Sequence, residues 1–184
     1  MKIGILGSSF NPPHDGHLKI SNKAITLFNL NEVWWMITKQ NPLKDSKNYL
    51  PLEERIEKIS SIINTKKIKT VYFEDKVKSN FLIDNIKYIN QRFSKNNFIF
   101  LMGSDSFSKM SQWKDYDEIF HQIPIVIFNR QSSKHEILNS KIAKKYEKFR
   151  LDFNSRNTIY KKIPSWIFIH DFNENISSSN LRSI

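Results

Sequence analysis

Six short apolar runs, separated by segments of helical spacing, constrain this fold more than any other feature of the chain. Residues 2–6, 32–38, 69–73, 97–102, 124–128 and 165–170 are rich in Ile, Val, Phe and Trp, as buried strands are. Between them, apolar residues recur every three or four positions. Leu18, Ile20, Ala24, Ile25 and Phe28 form one such face; Ile56, Ile59, Ile62 and Ile63 a second; Phe81, Ile83, Ile86, Ile89 and Phe93 a third. Pro51 followed by Glu53 and Glu54 marks the start of the second helix. Residues 113–121 read as a further helix. The charged, lysine-rich stretch 132–162 is the least legible, with one helix around residues 137–149. Strands alternating with helices through right-handed crossovers predict an α/β fold. The expected architecture is a doubly wound, Rossmann-like parallel sheet of five to six strands with helices on both faces, as a single domain over residues 1–184. In such sheets ligands bind beyond the carboxyl ends of the strands, near the switch point. The turns after the first, second and fourth strands lie on that edge.

Composition excludes several classes of function. The chain has no cysteine, which rules out disulfides, thiolate catalysis and Cys-ligated metal centres. No apolar run is long enough to span a bilayer, and the N-terminus lacks the pattern of a secretory signal, so a soluble cytoplasmic protein with no membrane partner is the expectation. The net charge of +11 comes from 23 lysines and only 6 arginines, scattered along the chain. A nucleic-acid binder gathers its cations into a footprint. The scatter reads as a solvated surface, and no nucleic-acid partner is expected.

Glycine is scarce, and its placement points to two turns. Three of the four glycines, Gly4, Gly7 and Gly16, fall in the first 16 residues, and Gly103 sits in the sequence FLMGSD. Each is expected where backbone approaches closely or φ is positive. Residues 7–18, GSSFNPPHDGHL, lie between a strand and a helix, where backbone amides and a helix N-terminus favour phosphate. His14 and His17 are one helical turn apart, close enough to share one anion. Two other readings stand beside this one: Asp15 as helix cap with incidental histidines, and a His-x-x-His metal pair. Neither accounts for Gly7, the two prolines and Gly16 together. The G-x-G-x-x-G and Walker patterns are both absent from the sequence.

The segment 7–18 resembles the first signature of the nucleotidyltransferase superfamily, and Ile176-Ser177-Ser178-Ser179-Asn180-Leu181-Arg182 resembles its second. Between them NPLKD at 41–45, FLMGSDSFSKMSQWKDYDEI at 100–119 and PIVIFNR at 124–130 look like the bacterial nicotinate-nucleotide adenylyltransferases. That resemblance implies transfer of the AMP part of ATP to nicotinate mononucleotide, giving deamido-NAD and pyrophosphate, with Mg²⁺ accompanying ATP. A phosphate monoester is already an anionic nucleophile, so catalysis would rest on positioning and on neutralising phosphate charge.

Site residues follow from the resemblance position by position. His14, His17 and Arg182 are the implied catalytic groups, acting as charge-assisted donors to phosphate. Gly7, Ser8, Ser9, Phe10, Gly16, Gly103, Asp105, Arg130, Ile176, Ser178 and Ser179 join them around ATP. Ser9, Lys44, Leu82, Asp84, Trp113 and Tyr116 are the implied mononucleotide contacts, with Trp113 stacking on the pyridine ring. For Asp105, capping of the helix that follows is the structural alternative. Serines 177–179 have helix capping as theirs, and Arg130 a surface ion pair. No metal site made by protein side chains is implied, since Mg²⁺ is held mainly by phosphates and water.

Leu82 departs from the family, which has a threonine there that helps bind the nicotinate carboxylate; leucine donates no hydrogen bond. The substitution opens the alternative of a dual-specificity nicotinate/nicotinamide mononucleotide enzyme. Two further alternatives are a phosphopantetheine adenylyltransferase, which shares both signatures, and a non-enzymatic nucleic-acid-binding protein using the +11 charge. Trp113 and the GSD context argue against the second, and the intact histidines against the third. A homo-oligomer is compatible with the sequence.

Overall fold

The structure, a computed structural model, describes residues 1–41, 49–130 and 134–172. Six strands form one sheet: β1 (Lys2–Ser8), β2 (Glu32–Ile37), β3 (Ile68–Val71), β4 (Asn97–Gly103), β5 (Ile125–Phe128) and β6 (Trp166–Ile169). Their order is β3-β2-β1-β4-β5-β6, and every pairing is parallel. All six apolar runs are therefore strands, with ends shifted by one or two residues. A parallel sheet covered on both faces needs apolar residues at successive positions. In β4 Phe98, Phe100 and Met102 enter one core and Ile99 and Leu101 the other.

The helices divide between those two cores. α1 (Asp15–Phe28) and α2 (Leu52–Ile62) pack on one face, joined by the 3₁₀ segment Phe153–Lys161 through Ile159. On the other face lie α4 (Leu82–Arg92), α5 (Ser104–Ser108) and α6 (Tyr116–Gln122); the short α3 (Glu74–Val77) lies between β3 and α4. The strand order switches direction between β1 and β4. Because α1 leaves β1 toward one face and α5 leaves β4 toward the other, their carboxyl ends frame a crevice.

Several expectations need correction. Residues 137–149 are not one helix. They divide into α7 (Lys134–Leu138), α8 (Lys141–Lys145) and a 3₁₀ turn at Glu147–Phe149. Ser140 makes the break: its backbone is extended and its side chain accepts a hydrogen bond from the Ala143 amide, capping a new helix. Tyr146 then stacks on Phe120 with ring centroids 3.8 Å apart, and its carbonyl accepts from the Trp166 indole at 2.8 Å. The helix expected from residue 113 begins at Tyr116, because Asp115 adopts the left-handed conformation (φ 49°) and Trp113 is extended. No glycine has positive φ, and close approach accounts for Gly4, Gly7 and Gly103. A Cβ on Gly7 would lie 3.1 Å from the Phe100 ring, and one on Gly103 would lie 2.4 Å from Asp105 Oδ1.

Phe120→Ala should cost about 3–5 kcal/mol, because it removes a fully buried ring that seats both α6 and the 141–149 segment. Urea unfolding checks this; a loss below about 1 kcal/mol would mean that the stack contributes little.

Candidate active site

A cleft of about 770 Å³ opens at the carboxyl ends of β1, β2, β4 and β5. Its floor comes from β1 and the turn that follows. Ser8 Oγ accepts from the Phe10 amide at 3.3 Å, and Phe10 takes the left-handed conformation with φ 48°. That conformation is costly for an aromatic residue. Packing holds it there: the Phe10 ring is fully buried, stacked on Trp35 at 4.8 Å and tilted against His17 at 4.7 Å.

α1 is capped by histidines, not by Asp15. His14 is the N-cap, and its Nδ1 accepts from the Gly16 amide at 3.1 Å. His17 reciprocates, its Nδ1 accepting from the His14 amide at 3.2 Å. The result is a capping box built from two imidazoles, in place of the usual hydroxyl and carboxylate. A backbone N–H can only donate, so both Nδ1 atoms carry no proton. Each neutral ring therefore bears its proton on Nε2. Below His17 a further relay sets its backbone: Trp35 Nε1 donates to Ser21 Oγ, and Ser21 donates to the His17 carbonyl, each at 2.8 Å. The His14 Nε2 is buried and has no hydrogen-bond partner among the described residues.

Burial pulls the His14 pKa down to about 4, helped by the positive charge of Arg130. His14 is thus neutral at pH 7 in the ligand-free protein, and the charge that assists its hydrogen bond would be the phosphate's. The cap bond that its Nδ1 accepts from the Gly16 amide requires that neutrality.

The other wall comes from β4 and β5. Gly103, Asp105 and Arg130 line the cleft, with an Arg130–Asp105 ion pair at 3.5 Å. The N-cap of α5 is Gly103, and Asp105 makes no cap hydrogen bond, so the capping alternative for Asp105 falls away. Ser104, directly before it, accepts from the Arg130 amide at 3.1 Å and ties the two strand ends together. Farther along, Leu82 and Trp113 line an apolar end of the same cleft, beside Phe81 and Lys114.

Of the residues singled out from sequence, Gly7, Ser8, Ser9, His17, Leu82, Gly103, Asp105, Trp113 and Arg130 line this one cleft. His14, Gly16 and Phe10 stand behind it as cap, first turn and buried support. Asp84 and Tyr116 do not line it. Asp84 accepts from Ser79 Oγ at 2.6 Å, and Tyr116 accepts from Lys145 Nζ at 3.2 Å. Lys44, Ile176, Ser178, Ser179 and Arg182 lie outside the described residues. Among the described residues no three His, Asp or Glu side chains converge as a metal site, and no helix is long and apolar enough to cross a membrane.

Sequence reasoning missed Glu74 and Arg55. Glu74 lines the cleft from the short helix α3. Arg55 is 1% exposed, on the inner face of α2 four residues before Ile59, a spacing that was visible in the sequence but masked by its charge.

Residues 5–184 match the family model described as Cytidylyltransferase-like. A relative in Rhizobium meliloti (strain 1021), named "Probable nicotinate-nucleotide adenylyltransferase", is 34% identical over 100% of this chain and 98% of its own length. One of the same name in Brucella abortus (strain 2308) is 32% identical over 100% of this chain and 95% of its own. Among solved structures, Plasmodium falciparum nicotinic acid mononucleotide adenylyltransferase complexed with NaAD shares the fold. Its TM-score is 0.71 at 22% identity, with 99% of this chain and 82% of that one covered.

His14 gives a pH prediction. A folded pKa below the ordinary 6.5 means that the unfolded chain binds the extra proton first, so stability is full above pH 6.5 and is lost as pH falls toward 4. His14→Asn keeps an N-cap acceptor but does not titrate. Its thermal midpoint should fall less than that of the wild type between pH 7 and pH 4.5. Parallel losses would contradict a buried neutral His14.

Proposed function

The chain belongs to the cytidylyltransferase-like family, among its nicotinate-nucleotide adenylyltransferases, and from that premise we propose that its cleft transfers the adenylyl group of ATP to nicotinate mononucleotide. The observation that carries this reading is one cleft with two chemically different ends. Imidazole, guanidinium and backbone donors gather at the β1/β4 switch point, and Trp113 and Leu82 form an apolar end beside them. The first end suits a triphosphate and the second a planar heterocycle.

In this reading an oxygen of the mononucleotide 5′-phosphate attacks the α-phosphorus of ATP. A new P–O–P link forms, and the bond to the β-phosphate breaks, its electron pair leaving with pyrophosphate. No proton need be removed from the nucleophile. The protein's part is alignment and charge neutralisation. His17, which lines the cleft, offers its Nε2–H at the α1 N-terminus. His14, whose Nε2 is buried behind it without a partner among the described residues, gains one when a phosphate reaches it. The anion also draws the His14 pKa upward from about 4, strengthening its donor. Arg130 adds a fixed positive charge, and its Asp105 partner is half exposed and turned to the same cleft. The donor set fits magnesium held chiefly by phosphate and water, with Asp105 as the carboxylate at hand; such an ion would offset charge on the polyphosphate. From the region outside the described residues, Ser178, Ser179 and Arg182 are assigned to the β- and γ-phosphates, and Lys44 to phosphate, on the resemblance alone. Asp84 and Tyr116 are retained only as supports of the wall that carries Trp113.

Pyrophosphate release tests the reading, with ATP, Mg²⁺ and, in parallel, nicotinate mononucleotide, nicotinamide mononucleotide or phosphopantetheine. Turnover should be fastest with nicotinate mononucleotide; turnover with phosphopantetheine alone, or with none, would overturn it. Trp113→Ala should raise KM for the mononucleotide about tenfold and leave KM for ATP nearly unchanged. Leu82→Thr, which restores a hydroxyl donor, should improve kcat/KM for the nicotinate form about tenfold relative to the nicotinamide form. An unchanged ratio would show that residue 82 does not face the pyridine substituent.

A further inference from the structure

Arg55 is a fully buried cation that makes no ion pair among the described residues. Burying a guanidinium is unfavourable unless its donors are satisfied. Here they are satisfied by backbone carbonyls from three separate segments. Nε donates to Leu50 O at 3.0 Å, one terminal nitrogen to Ser9 O at 2.6 Å and Thr38 O at 2.7 Å, and the other to Lys39 O at 2.8 Å. A guanidinium has five N–H donors in a rigid plane, so four of them are accounted for by these bonds.

The three segments are the turn after β1, the exit of β2 and the entry to α2. Further bonds knit the same place. Thr38 N donates to Ser8 O at 3.1 Å, and Leu50 N donates to Asn11 Oδ1 at 3.2 Å. From the opposite side Glu74 accepts from the Lys39 amide at 3.0 Å and from the Thr38 hydroxyl. The β2 exit is therefore gripped twice: by Arg55 through its carbonyls, and by Glu74 through an amide and a hydroxyl. Ser8, Ser9 and Thr38 line the cleft, whereas Arg55 does not. Phe10, next to the Ser9 carbonyl, holds the left-handed conformation that gives the turn its shape.

We propose that Arg55 is a positioning residue: its planar fork fixes the β1–α1 turn against the β2 exit and so sets where phosphate can sit relative to His17. Its consequence for turnover rests on the proposed adenylyl transfer. Its consequence for the backbone does not.

Near-attack geometry is sensitive to displacements of about 1 Å, which cost on the order of 100-fold in rate. Arg55→Lys keeps the charge and most of the volume but presents one nitrogen, which cannot span carbonyls in three segments. Arg55→Ala removes the clamp altogether. The experiment compares wild type, Arg55→Lys and Arg55→Ala by amide hydrogen exchange and by steady-state kinetics with ATP and nicotinate mononucleotide. Both variants should exchange faster at residues 9–11 and 38–41 while the amides of β4 and β5 remain protected. Turnover should fall about 100-fold in Arg55→Ala and about tenfold in Arg55→Lys. KM for each substrate should change less than threefold, the mark of misplacement rather than lost binding.

Three results would overturn the proposal. One is folded Arg55→Lys with wild-type kcat and wild-type exchange at the two segments. Another is exchange raised uniformly over the sheet in both variants, which would make Arg55 a general stabiliser. The third is a loss confined to KM. If the wild type itself fails to turn over, the adenylyl-transfer reading falls, and the exchange pattern alone decides the clamp.

Discussion

Two parallel neighbours, β1 and β4, send their crossovers to opposite faces of the sheet, and the active cleft depends on that topological constraint. α1 follows β1 onto one face and α5 follows β4 onto the other, and a crevice is left between the two carboxyl ends. Side chains such as His17, Trp113 and Arg130 line the crevice together with the strand ends, and its neighbouring strands approach closely. Gly7 lies against Phe100, where a Cβ would sit 3.1 Å from the ring, and Gly103 lies against Asp105 and Arg130, whose side chains would have to shift to admit one. A glycine-poor chain thus places two of its four glycines at the switch point.

On this frame the first turn of α1 solves two problems with one pair of side chains. A helix N-terminus leaves amides without partners. Here imidazole nitrogens take two of them, and that choice directs the remaining N–H of each ring away from the cap. The same rings are locked by packing: 3.8 Å from each other, with Phe10 and Trp35 behind them. Positioning and protonation state are consequences of local structure, and both are set before a ligand arrives. This is the preorganisation that electrostatic catalysis requires.

The sequence was most informative where one physical force dominated. Strands buried on both faces must be continuously apolar, which made the inner strands legible. The edge strand β3, with Lys69 exposed, was legible from its place in the alternation with helices that gave the architecture. The cleft was legible where residues sit at or just beyond strand ends, as with Gly7, Ser9, Gly103, Asp105 and Arg130, and Trp113 was legible only from the motif around it. Misreadings arose where neighbours in space compete for a residue. The Asp15 cap that stood as the alternative reading does not form, because His14 holds the position. Tyr116 and Asp84 follow the motif but are drawn to Lys145, Ser79 and Lys114. Arg55 was hidden because a charge beside Glu53 and Glu54 reads as surface, and only the tertiary arrangement supplies its four carbonyl bonds. The 134–149 segment defeated periodicity because Ser140 restarts the helix after one short turn.

The central claim is that the reciprocal histidine cap presents two Nε2–H donors to phosphate, and long-range ¹H–¹⁵N NMR of the imidazoles tests it most directly. At pH 7 the spectra should show His14 and His17 neutral, unprotonated at Nδ1 and protonated at Nε2. Adding a non-hydrolysable ATP analogue with Mg²⁺ should shift both Nε2–H resonances and leave the tautomers unchanged. A proton on either Nδ1, or Nε2 signals unmoved at saturating analogue, would contradict the account.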